Sequence, residues 1–211
     1  HWRNWIPATY YCTHALAPVM FITDTMPSKV NGFVIMRDRE DPTKEGLTVK
    51  LSDQASMIAV RMDNGGVVKL LQVGLRGHGN FVRIHGAYGL MEHGRGPLSG
   101  MLRVRREPYD KKKGEPVEKL YTPDFPACHE KAKKAGHGGG DFFMNYHFAE
   151  AIRTGEPPYF DVYRGVACSA VGILAYRSAL NDSNTVEVPD FRKTAVRAKY
   201  RKDTWQPDPT R

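Results

Sequence analysis

His14 is the residue around which proton chemistry could be built. It follows Tyr10-Tyr11-Cys12-Thr13 and opens an apolar run, and an imidazole in the first turn of a helix can accept a proton near neutral pH. Tyr10 or Tyr11, just upstream, can donate or relay one, although buried phenols equally serve as packing groups. The plain alternative for His14 is a core histidine satisfied by backbone groups. A second constellation is Gly136-His137-Gly138-Gly139-Gly140-Asp141. Its glycines let main chain approach a ligand while His137 and Asp141 present an imidazole and a carboxylate; otherwise Asp141 simply caps a helix. The run fails the dinucleotide fingerprint, because the third glycine position falls on Asp141 and no strand precedes it. Asp161 and Tyr163 offer a carboxylate and a phenol on one turn, or else a cap and a packing aromatic.

Other chemistries find no support. His78, His85 and His93 fall on separate strand and loop positions without ligand spacing, so no metal is expected. Three cysteines, Cys12, Cys128 and Cys168, are too few and too scattered for a disulfide framework or a zinc site. Neither a G-x-S-x-G elbow nor a phosphate-binding Walker sequence occurs.

The elements that would carry these residues follow from periodicity. Thr13 is positioned to cap a short helix containing Pro18, which Asp24-Thr25-Met26-Pro27 ends. Val30–Met36 reads as a strand, and a polar, charged loop runs on through Lys50. Met57–Met62 and Val67–Leu71 flank Asp63-Asn64-Gly65-Gly66, where Asn-Gly supplies the positive φ angles of a tight hairpin. Phe81–Gly86 and Gly89–Glu92 form another hairpin, and Met101–Arg105 one more strand. Residues from about 107 to 136 read as a loop excursion with little core. Beyond it, Asp141 begins a helix with Phe142, Tyr146, Ala149 and Ile152 at helical spacing, which Gly155-Glu156-Pro157-Pro158 stops. Asp161 caps a second helix through about Leu180, whose Gly165, Ala167, Ser169, Ala170 and Gly172 allow close packing. Thr185–Pro189 is a terminal strand. Successive strands on short connections, with helices toward both ends of the chain, give an α+β fold with an antiparallel sheet.

At 211 residues, one domain is the default. Apolar residues at 41%, supplemented by 20 glycines, place the chain among folding globular sequences. The longest apolar stretch, Val166–Leu180, is interrupted by Gly172 and Arg177 and falls short of the ~18 residues of a membrane span. The net charge of +8 admits anionic partners, but acidic residues alternate with the basic clusters and no aromatic row accompanies them, which argues against nucleic acid. The chain starts at His1 without an initiator methionine or signal segment, so an upstream portion is expected and either cytoplasmic or exported localisation is compatible.

The ordered set Tyr10-Tyr11-Cys12-Thr13-His14-Ala15-Leu16-Ala17-Pro18, Pro27-Ser28-Lys29-Val30, the hairpin, His137-Gly138-Gly139-Gly140-Asp141 and Gly155-Glu156-Pro157-Pro158-Tyr159-Phe160-Asp161-Val162-Tyr163 resembles the C-terminal part of the Gfo/Idh/MocA oxidoreductase family. Its nearest likeness is to the branch containing NAD-dependent glycosidases such as α-N-acetylgalactosaminidases. The resemblance implies a two-domain parent. An N-terminal Rossmann domain, absent from this chain, would hold NAD or NADP and carry the lysine of a Glu-Lys-Pro motif. The C-terminal domain, an open and mainly antiparallel sheet with flanking helices, would bind a carbohydrate and form a homo-oligomer through its sheet face. The isolated chain is then catalytically incomplete.

The resemblance implies that His14 stands at the family's proton-transfer position; Tyr10 or Tyr11 is expected as its neighbour, and His137, Asp141, Asp161 and Tyr163 are expected as substrate-binding residues. Two departures mark this sequence. Family dehydrogenases carry an aspartate where Tyr10 stands, and the Thr-His-x-Leu-Gly-Pro pattern has Ala17 in place of glycine. The first expectation is a sugar or polyol dehydrogenase; the alternatives are a glycosidase working by transient oxidation and elimination, or a non-catalytic oligomerisation or carbohydrate-binding module.

Overall fold

The computed structural model describes residues 6–36, 53–73, 81–125 and 127–207. The charged loop expected through Lys50 and the position of His78 lie outside the described residues. The chain divides into two units, the first formed by His1–Gly79 with Tyr159–Arg211 and the second by Asn80–Pro158.

In the first unit, a 3-10 turn at Ala8–Tyr11 runs into α1 (Thr13–Thr23). Strands β1 (Pro27–Met36), β2 (Asp53–Met62), β3 (Val67–Val73) and β8 (Val186–Glu187) form an antiparallel sheet in the order β3-β2-β1-β8. The sheet packs against α3 (Val162–Leu180). Alternation decides which face does so. Val30, Ile58, Val60, Met62 and Leu70 point inward and join Leu16, Met20, Val171, Leu174 and Ala175 in one core. Phe33, Met57 and Leu71 stand in register on the opposite, exposed face.

Two glycines set how closely layers meet. A β-carbon on Gly172 would lie 2.7 Å from the Thr9 carbonyl oxygen and 3.2 Å from Cys12 Sγ. The 3-10 turn therefore rests directly on the α3 backbone. Gly32 lies closer still to the Ala175 backbone, and its N–H donates to Ser178 Oγ at 3.0 Å. The small-residue stripe thus works through Gly172 and Ala175, whereas Gly165 has open space around it.

In the second unit, β4 (Arg83–Gly86), β5 (Gly89–His93), β6 (Leu102–Arg106) and β7 (Glu118–Tyr121) form a second antiparallel sheet in that order. The fold class stands as read from the sequence, but the strands divide between two sheets. Strand β7 lies inside the span expected to be an excursion. Its four residues are all exposed and carry no apolar alternation; an ion pair from Arg103 Nη2 to Glu118 Oε2 at 2.7 Å helps fasten it to β6.

Local chemistry differs from expectation at three helix starts and turns. Thr13 does not cap α1, because Cys12 holds helical angles and the chain passes from the 3-10 turn into the helix without a break. Asp141 does not cap α2 (Gly140–Thr154): Gly138 and Gly139, at φ 62° and 94°, make the turn, and Asp141 sits in the first helical turn. The first hairpin has positive φ at Gly65 alone of its Asn-Gly pair, with Gly65 N–H donating to the Met62 carbonyl and Met62 N–H to that of Gly66. That is a three-residue turn with a glycine bulge rather than a two-residue turn. α4 (Thr194–Tyr200) lies in the basic tail, where no element was expected.

Candidate functional site

His14 is exposed, at the second residue of α1. Two features of the chain put it there. The 3-10 turn is held by Tyr10 N–H donating to the Pro7 carbonyl and Cys12 N–H to that of Thr9. Pro18, four residues after His14, has no N–H to give the His14 carbonyl, so the first turn of α1 lacks one ordinary helical tie to the second.

The two adjacent tyrosines diverge. Tyr11 stacks on His14, ring centroids 5.0 Å apart and planes 15° from parallel. Tyr10 instead meets Tyr176 of α3 edge-on at 6.4 Å and 87°. Burial pushes the Tyr10 phenol up to about 12, against an opposing pull from Arg177. A phenol so reluctant to ionise and so engaged is suited to packing; Tyr11 is the tyrosine beside the imidazole.

Asp161 and Tyr163 belong to the opposite end of the α1–α3 pair. The helices run antiparallel: Cys12 Sγ lies 3.8 Å from the Cys168 carbonyl oxygen, while at the other end Arg164 pairs with Asp24 at 3.3 Å and Tyr159 donates its hydroxyl to the Met20 carbonyl. At 1.5 Å of rise per residue, His14 and the Asp24 end are about 15 Å apart along α1. Asp161 caps α3, its Oδ1 accepting from Arg164 N–H at 2.8 Å. Tyr163 is exposed.

In the second unit, His137 Nδ1 and Asp141 Oδ1 are 2.8 Å apart on an exposed surface. The glycine run makes the pairing possible. Positive φ at His137, Gly138 and Gly139 reverses the chain so that His137 meets Asp141 in the first turn of α2. A carboxylate fixing one ring nitrogen leaves the other facing outward, able to donate to or accept from a hydroxyl.

His85 lies on β4 and His93 on β5, and no group of three or more potential ligands gathers among the described residues. No described helix is long and apolar enough to cross a membrane. The spacing of motifs gave no sign of one cluster around Tyr10, in which Tyr176, Arg177, Asp203 and Trp205 converge. Trp205, a large aromatic in the basic tail, was the available signal.

Comparison with known proteins gives the family and the fold. The sequence model of the family described as "Glycosyl hydrolase 109, C-terminal domain" matches residues 76–198. An alpha-N-acetylgalactosaminidase from Tannerella forsythia is 43% identical over 63 residues, which are 30% of this chain and 14% of that protein. Among solved structures, an oxidoreductase from Agrobacterium radiobacter in complex with NAD+, L-tartaric acid and magnesium superposes with a TM-score of 0.60 at 15% identity, over 84% of this chain and 48% of that one. Levoglucosan dehydrogenase in complex with NADH and L-sorbose gives 0.60 at 18% identity, over 86% and 49%. The chain spans about half the length of these structures, and the likeness to them is one of fold.

Proposed function

The chain belongs to the glycosyl hydrolase 109 family, as its C-terminal domain, and from that premise we propose that it is the substrate-binding domain of an NAD-dependent glycoside hydrolase acting on a sugar. The observation that carries this reading is the exposed His14, ring-stacked on Tyr11 at the start of α1. Family membership moves the glycosidase ahead of the simple dehydrogenase, which remains the second reading because the solved neighbours include levoglucosan dehydrogenase bound to NADH.

The described residues hold no β-α-β dinucleotide fingerprint. All their strand pairs are antiparallel, so no β-α-β unit exists among them, and the glycine run precedes α2 with Asp141 where a third glycine is required. In this reading the nicotinamide group belongs to a Rossmann domain beyond these residues. What this chain contributes is proton handling and grip. His14 Nδ1 or Nε2 takes the proton of a sugar hydroxyl and later returns one. Tyr11, lying flat on the imidazole, fixes the ring plane. Taken by itself, the His137–Asp141 pair of the second unit is a hydrogen-bonding group for hydroxyls, while in the first unit Asp161 caps α3 and so holds Tyr163, away from His14, as a second hydrogen-bonding group.

The outer sheet face supports self-association. Phe33, Met57 and Leu71 stand in one cross-strand row at 47%, 37% and 46% exposure, an apolar row of the kind that a second copy would cover. In this reading the protein is a homo-oligomer through that face. Elution as a monomer at micromolar concentration, unaltered by Met57→Lys, would remove that part of the proposal.

The central experiment gives the full-length parent a panel of sugars and aryl glycosides, with free NADH and released aglycone followed together. Aglycone release without net NADH is expected. Net NADH without aglycone would establish the dehydrogenase instead, and silence in both channels from a folded protein would leave a binding module. His14→Ala should reduce turnover by about 10²-fold or more; a loss within about threefold would end its role as the base.

A further inference from the structure

The last described residues, 201–207, form neither helix nor strand, yet they are tied down at one place. Arg177 Nη2 donates to both carboxylate oxygens of Asp203, each at 2.8 Å, and Asp203 Oδ1 also accepts from Trp205 N–H at 3.0 Å. The Arg177 guanidinium lies 4.5 Å from the centroid of the Trp205 ring. That ring in turn meets Tyr176 at 6.4 Å, and Tyr176, buried in α3, carries the edge-on contact to Tyr10. Ordering a polar tail costs backbone and side-chain entropy at every residue, so contacts converging on one point mark where the tail is held. That point lies two aromatic contacts from the start of the His14 segment.

We propose that the Asp203–Trp205 segment is a clamp that positions the Tyr10–His14 segment, acting through Arg177 and Tyr176. The proposal rests on the reading of His14 as the proton-transfer group. Tyr10 and Tyr11 are consecutive residues of one hydrogen-bonded 3-10 turn, and Gly172 gives that turn a hard floor. The turn therefore moves as a piece. The seat of Thr9 and Cys12 on Gly172 stays in place, and release of Tyr176 lets the turn rotate about it, which moves the Tyr10 ring off Tyr176 and the Tyr11 ring off the imidazole. Trp205 and Asp203 are positioning residues, distant in sequence from the groups they set. With the clamp closed, Tyr10 is half-buried against Tyr176.

The test needs no substrate. In the 211-residue chain carrying isotope-labelled histidine, the His14 ring resonance, assigned by His14→Gln, feels the ring current of the stacked Tyr11. Tyr11→Ala defines its unstacked position. Trp205→Ala should carry the His14 resonance most of the way to that position, and Trp205→Phe, which keeps an aromatic against Tyr176, should restore it. A folded Trp205→Ala with His14 at its wild-type position overturns the proposal. Should Trp205→Ala fail to fold, Asp203→Ala, which unties the tail at the surface, carries the same expectation and the same refutation. The sugar chemistry fails separately, through inactivity of the full-length parent, and leaves this resonance readable.

Discussion

Gly32 of β1 faces the backbone of Ala175 in α3 so closely that a β-carbon at position 32 would stand 1.9 Å from the Ala175 carbonyl oxygen. Neither partner can yield, since both are backbone within regular elements. Gly32→Ala must separate the sheet from α3 and loosen the core around Val30 and Val171. Overpacking of this kind costs about 1–3 kcal/mol, occasionally more. Urea denaturation should show the loss in full, and a change below about 0.5 kcal/mol, the ordinary range for surface substitutions, would mean that the two layers are farther apart than described.

Two glycines of α3 make an internal contrast. Gly172→Ala meets the Thr9 carbonyl and Cys12 Sγ and should both destabilise the first unit, by about 1–3 kcal/mol, and disturb the Tyr11–His14 stack. Gly165 has nothing within 4 Å of its absent β-carbon. Gly165→Ala should therefore stabilise the protein, by about 0.4–1 kcal/mol, through the entropy of the unfolded chain and better helix propensity. Opposite signs in thermal melts of the two variants are the expected result; equal signs would contradict the placement of α3.

The same helix shows where sequence was legible. Asp161 as a cap, Leu180 as the end and small residues at the contact were all readable, because each is a local property of residue type. The β2–β3 hairpin and the resemblance carried by the motif order were readable for the same reason. Asp141 was misread as a cap because a run of glycines with positive φ can start a helix without one, freeing the carboxylate to bind His137. Strand β7 and helix α4 escaped notice because polar pairs such as Arg103–Glu118 and the Arg197 contacts to the Phe191 and Arg192 carbonyls replace apolar periodicity there. At the candidate site, nothing in two consecutive tyrosines reveals that one turns to His14 and the other to Tyr176. That choice is made by α3, more than 150 residues away in sequence.

Cys12 and Cys168 should be inert. Both are buried, and burial pushes their thiols up to about 12 and about 11. The thiolate is the reactive form, so site-resolved mass spectrometry after iodoacetamide treatment near pH 8 should find both unmodified in the folded protein and modified after guanidinium unfolding. The shifts also carry a pH consequence. A thiol that stays protonated in the fold and ionises in the unfolded chain near its ordinary value of 9.0 contributes stability below that pH and loses it as pH rises further. Stability should fall above about pH 9, less steeply in Cys12→Ser; rapid alkylation of the native protein would refute the burial of both sites.

Glu92 gives the second unit the opposite pH dependence. Its carboxylate is almost fully covered on β5 and accepts hydrogen bonds from Arg83 Nε on one side and Arg103 Nη1, at 3.0 Å, on the other. Those hydrogen bonds, the Arg83 one foremost, hold the carboxyl below its ordinary value of 4.5 against the effect of burial. A lowered acid contributes stability that is complete above its unfolded value and lost as pH falls through its folded one. Glu118, also lowered through Arg103, is lost over the same acid range. Amide hydrogen exchange across β5 and β6 should therefore accelerate in the wild type once pH drops below about 4.5. Glu92→Gln cannot pair with two guanidinium groups as an anion, so its β5–β6 amides should exchange faster than wild type at neutral pH and converge with it in acid. A difference between the two proteins that stayed constant from neutral to acid pH would show that the ladder holds these strands by shape rather than by charge.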